Sequence, residues 1–210
     1  MNTLVIVGHP LTGTFTRALA DSYADAARDG GADVRVLDLA ATPFPHDPET
    51  RDELRARDSR DHLPAVIREL IAEVEWADHL VVVYPQWWGT YPAVLKAFID
   101  RVFLSGVSFR YGKGPISERL WAGKTARIVM VMDSPRFWNR LVYRNASETA
   151  LSRATFGYCG VKTIGITRFT PVRFSTLEKR QGWLRKAAAL GRTDAARGRS
   201  RASTPALVDA

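Results

Sequence analysis

Five short apolar runs alternate along the chain with segments whose apolar positions recur every three to four residues. Thr3-Leu4-Val5-Ile6-Val7-Gly8, the Val34, Val36, Leu37, Leu39 segment, Leu80-Val81-Val82-Val83, Ala126 to Met132 and a weaker run at Lys162 to Thr167 read as strands buried on both faces. Helical spacing joins Phe15, Ala18, Leu19, Ser22, Tyr23 and Ala26 up to a stop at Gly30-Gly31. Pro64 opens a second helix with Val66, Ile67, Leu70, Ile71 and Val74 on one face; Val94, Leu95, Phe98, Ile99, Val102 and Phe103 define a third. Arg140 to Thr155 reads as a fourth, and Ser175-Thr176-Leu177-Glu178 has capping-box spacing for a last helix running to about Leu190.

Between these elements, Ala41 to Leu63 is rich in proline and charge and reads as a surface excursion. Gly106 to Pro115 alternates and then breaks at glycines, as a flap or short hairpin does, with Phe109 and Tyr111 on one side. From Gly191 onward the chain lacks periodicity, so residues 191–210 are expected to form a disordered basic tail after one domain over 1–190. Strands alternating with helices imply right-handed crossovers and an α/β doubly wound parallel sheet with helices on both faces. In such sheets the ligand lies beyond the carboxyl ends of the strands. The loops there are His9 to Thr14, Tyr84 to Thr90 and Asp133 to Trp138.

The first of these loops, Gly8-His9-Pro10-Leu11-Thr12-Gly13-Thr14-Phe15-Thr16, offers hydroxyls and free backbone N–H groups at a helix start, a combination that binds phosphate. It completes neither the P-loop, which needs Lys after Gly13, nor the dinucleotide fingerprint, since only Gly8 and Gly13 are present. Asp38 therefore reads as a turn cap rather than a ribose-binding acid, and His9 either donates to a phosphate or turns its ring onto the backbone. In the second loop, Pro85-Gln86-Trp87-Trp88-Gly89 places two indoles on a restrained backbone. They either wall a slot for a flat, conjugated ligand or cap the core. Asp133 likewise serves either a bound group or its own turn.

Composition narrows the chemistry. With 210 residues, 46% of them hydrophobic, the chain can bury a real core. Cys159 is its only cysteine, which excludes an internal disulfide, a dithiol redox centre and a thiolate zinc cage, so redox chemistry must come from a bound cofactor. His46, His62 and His79 are scattered, and Ser105, Ser108 and Ser134 lack a nucleophile elbow; neither a metal site nor acyl transfer is expected. The formal net charge of +8 is concentrated partly after Leu184 and lacks a nucleic-acid motif, so nucleic acid is not an expected partner. The charge does suit attraction of phosphorylated cofactors. No run reaches the about 18 apolar residues of a membrane span. Met1 leads directly into a strand, and a cytoplasmic protein is expected.

From Met1 to about Arg173 the chain resembles the flavodoxin-fold NAD(P)H:quinone oxidoreductases, a group that includes quinone reductases, modulator-of-drug-activity proteins and ancillary flavoproteins of potassium efflux systems. The resemblance rests on Gly8-His9-Pro10 with Thr14-Phe15, on Tyr84-Pro85-Gln86-Trp87-Trp88-Gly89 followed by Pro92-Ala93-Val94-Leu95-Lys96 and Asp100-Arg101-Val102-Phe103, and on Phe109-Arg110-Tyr111 with Lys113-Gly114-Pro115. It implies a flavodoxin-like sheet of order 2-1-3-4-5. It also implies hydride transfer from NAD(P)H through bound FMN or FAD to a quinone or similar flat acceptor, by a ping-pong scheme. Carried over, it assigns His9, Thr14, Phe15 and Thr16 to the flavin phosphate, Pro85, Gln86, Trp87, Trp88 and Gly89 to the isoalloxazine, and Asp133 and Ser134 to the ring and ribityl side. Phe109 and Tyr111 would contact substrate across the interface of a homodimer. Thr14-Phe15-Thr16 stands where the family often has Ser-Phe-Asn, and Asp133-Ser134-Pro135-Arg136-Phe137-Trp138 replaces a glycine-rich loop and a Tyr/His pair, so no proton donor is assigned. The alternative is a flavodoxin-like electron carrier or a transporter-regulating flavoprotein. The basic charge and bulky flap count against it, because such carriers are generally acidic.

Overall fold

In the computed structural model, residues 1–56, 59–112 and 117–202 are described. The apolar runs form β1 (Asn2–Val7), β2 (Asp33–Asp38), β3 (His79–Pro85), β6 (Thr125–Val131) and β7 (Lys162–Phe169) of one parallel sheet, in the order β2-β1-β3-β6-β7. This is the expected 2-1-3-4-5 order, because a separate two-stranded flap, β4 (Phe109–Arg110) with β5 (Glu118–Arg119), takes two places in the numbering. Of the flap motif, Lys113-Gly114-Pro115 lies outside the described residues.

The alternating pleat divides each strand between two cores. Leu4, Ile6, Leu80, Val82, Ile128 and Met130 face α2 (Ala65–Trp76) and α3 (Ala93–Val102). Val5, Val7, Val81, Val83, Val129 and Val131 face α1 (Phe15–Asp29) and a long final helix. With both faces covered, the strands can be apolar throughout, which is why they read as unbroken runs. Helices on opposite faces also mean that the connections leaving β1 and β3 diverge, opening a crevice at their carboxyl ends.

Two expectations are corrected. The helix expected over Arg140 to Thr155 is three pieces: α4 (Arg136–Leu141), α5 (Ala146–Thr149) and a π-helical stretch over Ala150–Gly157. Arg144 and Asn145, with φ of 51° and 53°, break the first from the second, since consecutive left-handed residues cannot continue a right-handed helix. The tail expected from Gly191 instead continues α6 (Leu177–Ala202).

That helix is held by small residues and one buried acid. A Cβ on Gly191 would lie 2.3 Å from the Tyr23 carbonyl oxygen, so only glycine allows α6 to cross α1 this closely. One turn on, the buried Asp194 accepts from the Tyr23 hydroxyl at 2.7 Å and from Arg127 Nη2 at 2.8 Å. His79 lies 3.5 Å away and is itself bonded to Thr125 Oγ1 at 2.8 Å. Burial raises the Asp194 carboxyl, but donation from Arg127, His79 and Tyr23 outweighs it and holds the group well below the usual carboxylate range. α6 is thereby fastened over the amino end of the sheet.

Candidate functional site

The first loop leaves β1 with Gly8 N–H donating to the Val83 carbonyl at 2.8 Å, so it starts pinned to β3. Thr14 caps α1: its side chain accepts from Arg17 N–H at 3.3 Å and its carbonyl from Ala18 N–H at 3.1 Å. The N–H groups of Phe15 and Thr16 precede any intrahelical acceptor and remain available to an anion. Nothing lies within 4 Å of the position a Cβ would take on Gly13, so the loop is open on that side. His9 Nδ1 accepts from Leu11 N–H at 2.9 Å, and burial keeps the imidazole below its ordinary pKa of 6.5. A neutral ring accepting at Nδ1 carries its proton on Nε2, so His9 has a donor to spare. Both alternatives raised for this histidine are thus compatible in one geometry.

At the end of β3 the chain makes a two-residue turn. Trp87 and Thr90 exchange both backbone hydrogen bonds at 2.9 Å, with Trp88 (φ 52°) and Gly89 (φ 75°) between them. Both central residues are left-handed, the type I′ pattern, which glycine tolerates and tryptophan resists. Trp88 is nonetheless 100% exposed, with no burial to offset its backbone strain. Trp87 is half-exposed and meets His9 edge to face, with ring centroids 5.5 Å apart. The phosphate-type loop and the indole loop therefore converge, and the core-capping alternative does not hold for Trp88. A flavin phosphate on the α1 N-terminus with its flat ring against the indoles fits this donor set.

Behind the indole turn lies a chain of polar side chains that no motif or spacing connects. Gln86 Nε2 donates to Asn139 Oδ1 at 2.7 Å; Asn139 Nδ2 donates to Glu148 Oε1 at 3.0 Å and Asn145 Oδ1 at 3.1 Å. Arg168 Nε donates to the same Glu148 oxygen at 2.7 Å. Beside it, the Tyr84 hydroxyl meets Ser147 Oγ at 2.9 Å, and burial pushes the phenol well above its ordinary range. Tyr143 lies over Gly89, within 3.4 Å of where a Cβ would stand. These residues sit on and around α4 and α5, so the break at Arg144-Asn145 is what turns Asn139, Tyr143 and Glu148 toward the site.

The profile of the flavodoxin-like fold family matches residues 1–190. The chain belongs to that family. Among curated relatives of this flavodoxin-like protein, an FMN-dependent NADH:quinone oxidoreductase of Shewanella amazonensis is 34% identical, covering 61% of the chain and 69% of the relative. An uncharacterized NAD(P)H oxidoreductase of Haemophilus influenzae is 24% identical over 90% of the chain and 93% of its own length. Among solved structures, Smu.1420 of Streptococcus mutans superposes with a TM-score of 0.77 at 27% identity, over 92% of the chain and all of the other protein, a coverage of 100%.

In this flavodoxin-like chain the expected site residues fall into four groups. His9 and Trp87 meet directly, Thr14 caps α1 at the end of the first loop, and Gln86, Trp88 and Gly89 flank Trp87 in the turn after β3. Phe15 and Thr16 support the crevice from within: Thr16 is buried, and Phe15 packs on Trp183 of α6 with centroids 6.1 Å apart, while Pro85 is buried at the end of β3. Asp133 and Ser134 are at the carboxyl end of β6 but already employed, Asp133 Oδ1 accepting from Arg173 N–H at 2.7 Å and the Ser134 carbonyl from Thr170 Oγ1 at 2.6 Å. Asp38 ties down its own turn, accepting from Ala40 N–H at 3.0 Å and pairing with Arg17 at 2.8 Å.

Phe109 and Tyr111 stand apart. Because α3 runs back from the indole turn, the flap lies toward the amino end of the sheet, where Trp121 N–H bonds the Cys159 carbonyl. There Phe109 contacts Tyr111 at 5.2 Å and Tyr158 at 4.9 Å, and within one chain neither joins His9 and Trp87. A recess of about 810 Å³ along β7, bordered by Arg119, Arg153 and Lys162, is likewise remote from the three loops.

Proposed function

We propose that this protein is an FMN-dependent NAD(P)H oxidoreductase that reduces a quinone or a similar flat acceptor. The observation that carries the reading is the meeting of His9 with the half-exposed Trp87, which sets the first loop beside the indole turn whose next residue, Trp88, is fully exposed on a left-handed backbone. The relatedness to an FMN-dependent NADH:quinone oxidoreductase supports the same reading.

Phe15 and Thr16 N–H, the Thr14 hydroxyl and His9 Nε2–H hold the phosphate, a set of donors that suits a dianion without any lysine. Pro85 to Gly89 supply the wall and edge for the ring, with Trp87 and Trp88 excluding water from one side. FMN held there would supply the hydride chemistry between NAD(P)H and the acceptor. The protein's own work is then to bind, orient and shield. NAD(P)H and acceptor occupy the crevice in turn, a ping-pong order. The protein acts as a homodimer in which Phe109 and the exposed Tyr111 of one copy reach the other copy's crevice.

Steady-state oxidation of NADH by FMN-loaded protein, with a soluble quinone varied, tests the reading. Quinone-dependent turnover with parallel double-reciprocal lines is the expected result. Protein that binds FMN but shows no acceptor-dependent oxidation of NADH or NADPH contradicts it.

A further inference from the structure

Glu148 is 1% exposed and Asn139 0% exposed, yet neither belongs to the hydrophobic core that surrounds them. Of the two Glu148 oxygens, Oε1 accepts from Asn139 and Arg168, while Oε2 is buried with no partner among the described residues. A buried polar network with an unsatisfied oxygen is a poor way to stabilise a fold, because apolar residues of the same volume would pack there without the desolvation penalty. Its location directly behind the indole turn gives it another use.

The direction of the network follows from its acid. Glu148 Oε1 already accepts from Arg168 Nε, so Asn139 turns its nitrogen toward the same oxygen. Both N–H groups of that amide are then used, one on Glu148 and one on Asn145, and its oxygen is left facing Gln86. Gln86 must answer with its own nitrogen, as it does at 2.7 Å. Amide orientation, ordinarily an open choice, is therefore fixed twice over by one buried charge. Among the described residues the Gln86 oxygen has no partner.

We propose that Asn139 is a positioning residue: it locks the Gln86 side chain nitrogen-inward, so that the carbonyl oxygen is the group the loop offers to a bound heterocycle. The ligand class selected is a flat ring carrying an N–H donor at its edge, and this rests on the flavin reading of the crevice. A ring edge bearing only acceptors meets an oxygen that cannot turn away.

The experiment combines an apo-state spectrum with a coupling cycle. In ¹⁵N NMR of the apo protein, the Gln86 side-chain NH₂ should be a distinct, exchange-protected pair that collapses to a solvent-like signal in Asn139→Leu. For FMN binding, Asn139→Leu and Gln86→Leu should each weaken affinity about tenfold, and the double variant should be no weaker than the worse single. Asn139→Asp keeps an oxygen that can accept from Gln86, so it should bind FMN within about threefold of wild type. Additive losses in the cycle, unchanged affinity in both single variants, or a freely exchanging Gln86 NH₂ in wild type would overturn the proposal. Wild-type protein that binds no FMN overturns the flavin reading and the ligand class with it, while the amide spectrum still decides whether Asn139 locks Gln86.

Discussion

The two ends of the sheet carry similar residue types and treat them in opposite ways. At the amino end, Asp194, Arg127, Tyr23 and His79 are nearly fully buried and bonded to one another beneath a helix packed down to backbone contact. At the carboxyl end, an indole stands in solvent on a left-handed backbone, and among the described residues the helix-start N–H groups have no acceptor and a buried glutamate keeps one oxygen unpaired. Closed polar clusters of the first kind fasten a fold. Open ones of the second kind can take a group from outside, which is why we propose that the ligand binds there and not at the better-packed end.

The largest effect should come from breaking the closed end. Asp194→Ala strands the Arg127 guanidinium and is expected to lower unfolding free energy by about 3–5 kcal/mol in urea melts, with FMN affinity of the folded protein unchanged. The same group predicts an acid response. Its pKa is depressed in the folded state, so its contribution is complete above the unfolded value of 3.8 and is lost as pH falls through the folded one. Far-UV circular dichroism of α6 at low pH should follow that loss. Gly191→Leu is next: forcing a side chain against the Tyr23 carbonyl should lower stability by about 1–3 kcal/mol and loosen α6, read by hydrogen exchange in its last turns.

Changes at the open end should do the reverse. Trp87→Ala should weaken FMN binding about tenfold while the urea midpoint barely moves, whereas Asp38→Ala, which removes only a turn cap, should leave FMN affinity nearly intact. Equal losses in the two variants would mean the loops have been assigned wrongly. The smallest effect concerns His9. Burial lowers its pKa below 6.5, so the unfolded chain takes up a proton first, and stability should decline slightly as pH drops through 6.5 and level off below the folded value. That dependence should vanish in His9→Gln.

Much of this was legible in the sequence because burial on both faces leaves strands uninterrupted: Leu80 to Val83 could hardly be anything else. The three loops at the strand ends followed from the same alternation. What escaped was structure whose signal is not hydrophobic. The last turns of α6 pack through Ala187, Gly191, Asp194 and Ala195, a stripe of small residues and one acid that resembles a solvated tail until α1 is placed beside it. The recurrence of small residues at helical spacing was the available sign. The division of Arg140 to Thr155 turns on left-handed conformations at Arg144 and Asn145, which no local preference of arginine announces. Asn139 and Glu148 were invisible as candidate site residues because their partners, Gln86 just past β3 and Arg168 in β7, lie far from them in sequence.

The central claim is that a flavin ring lies against the exposed indoles while its phosphate rests on α1. A titration of the apo protein with FMN, followed by tryptophan emission, tests it most directly. Saturable one-to-one quenching is expected in wild type, with most of the quenched signal missing from the Trp87→Phe, Trp88→Phe double variant. Quenching of equal size in both proteins, or none in wild type, would contradict it.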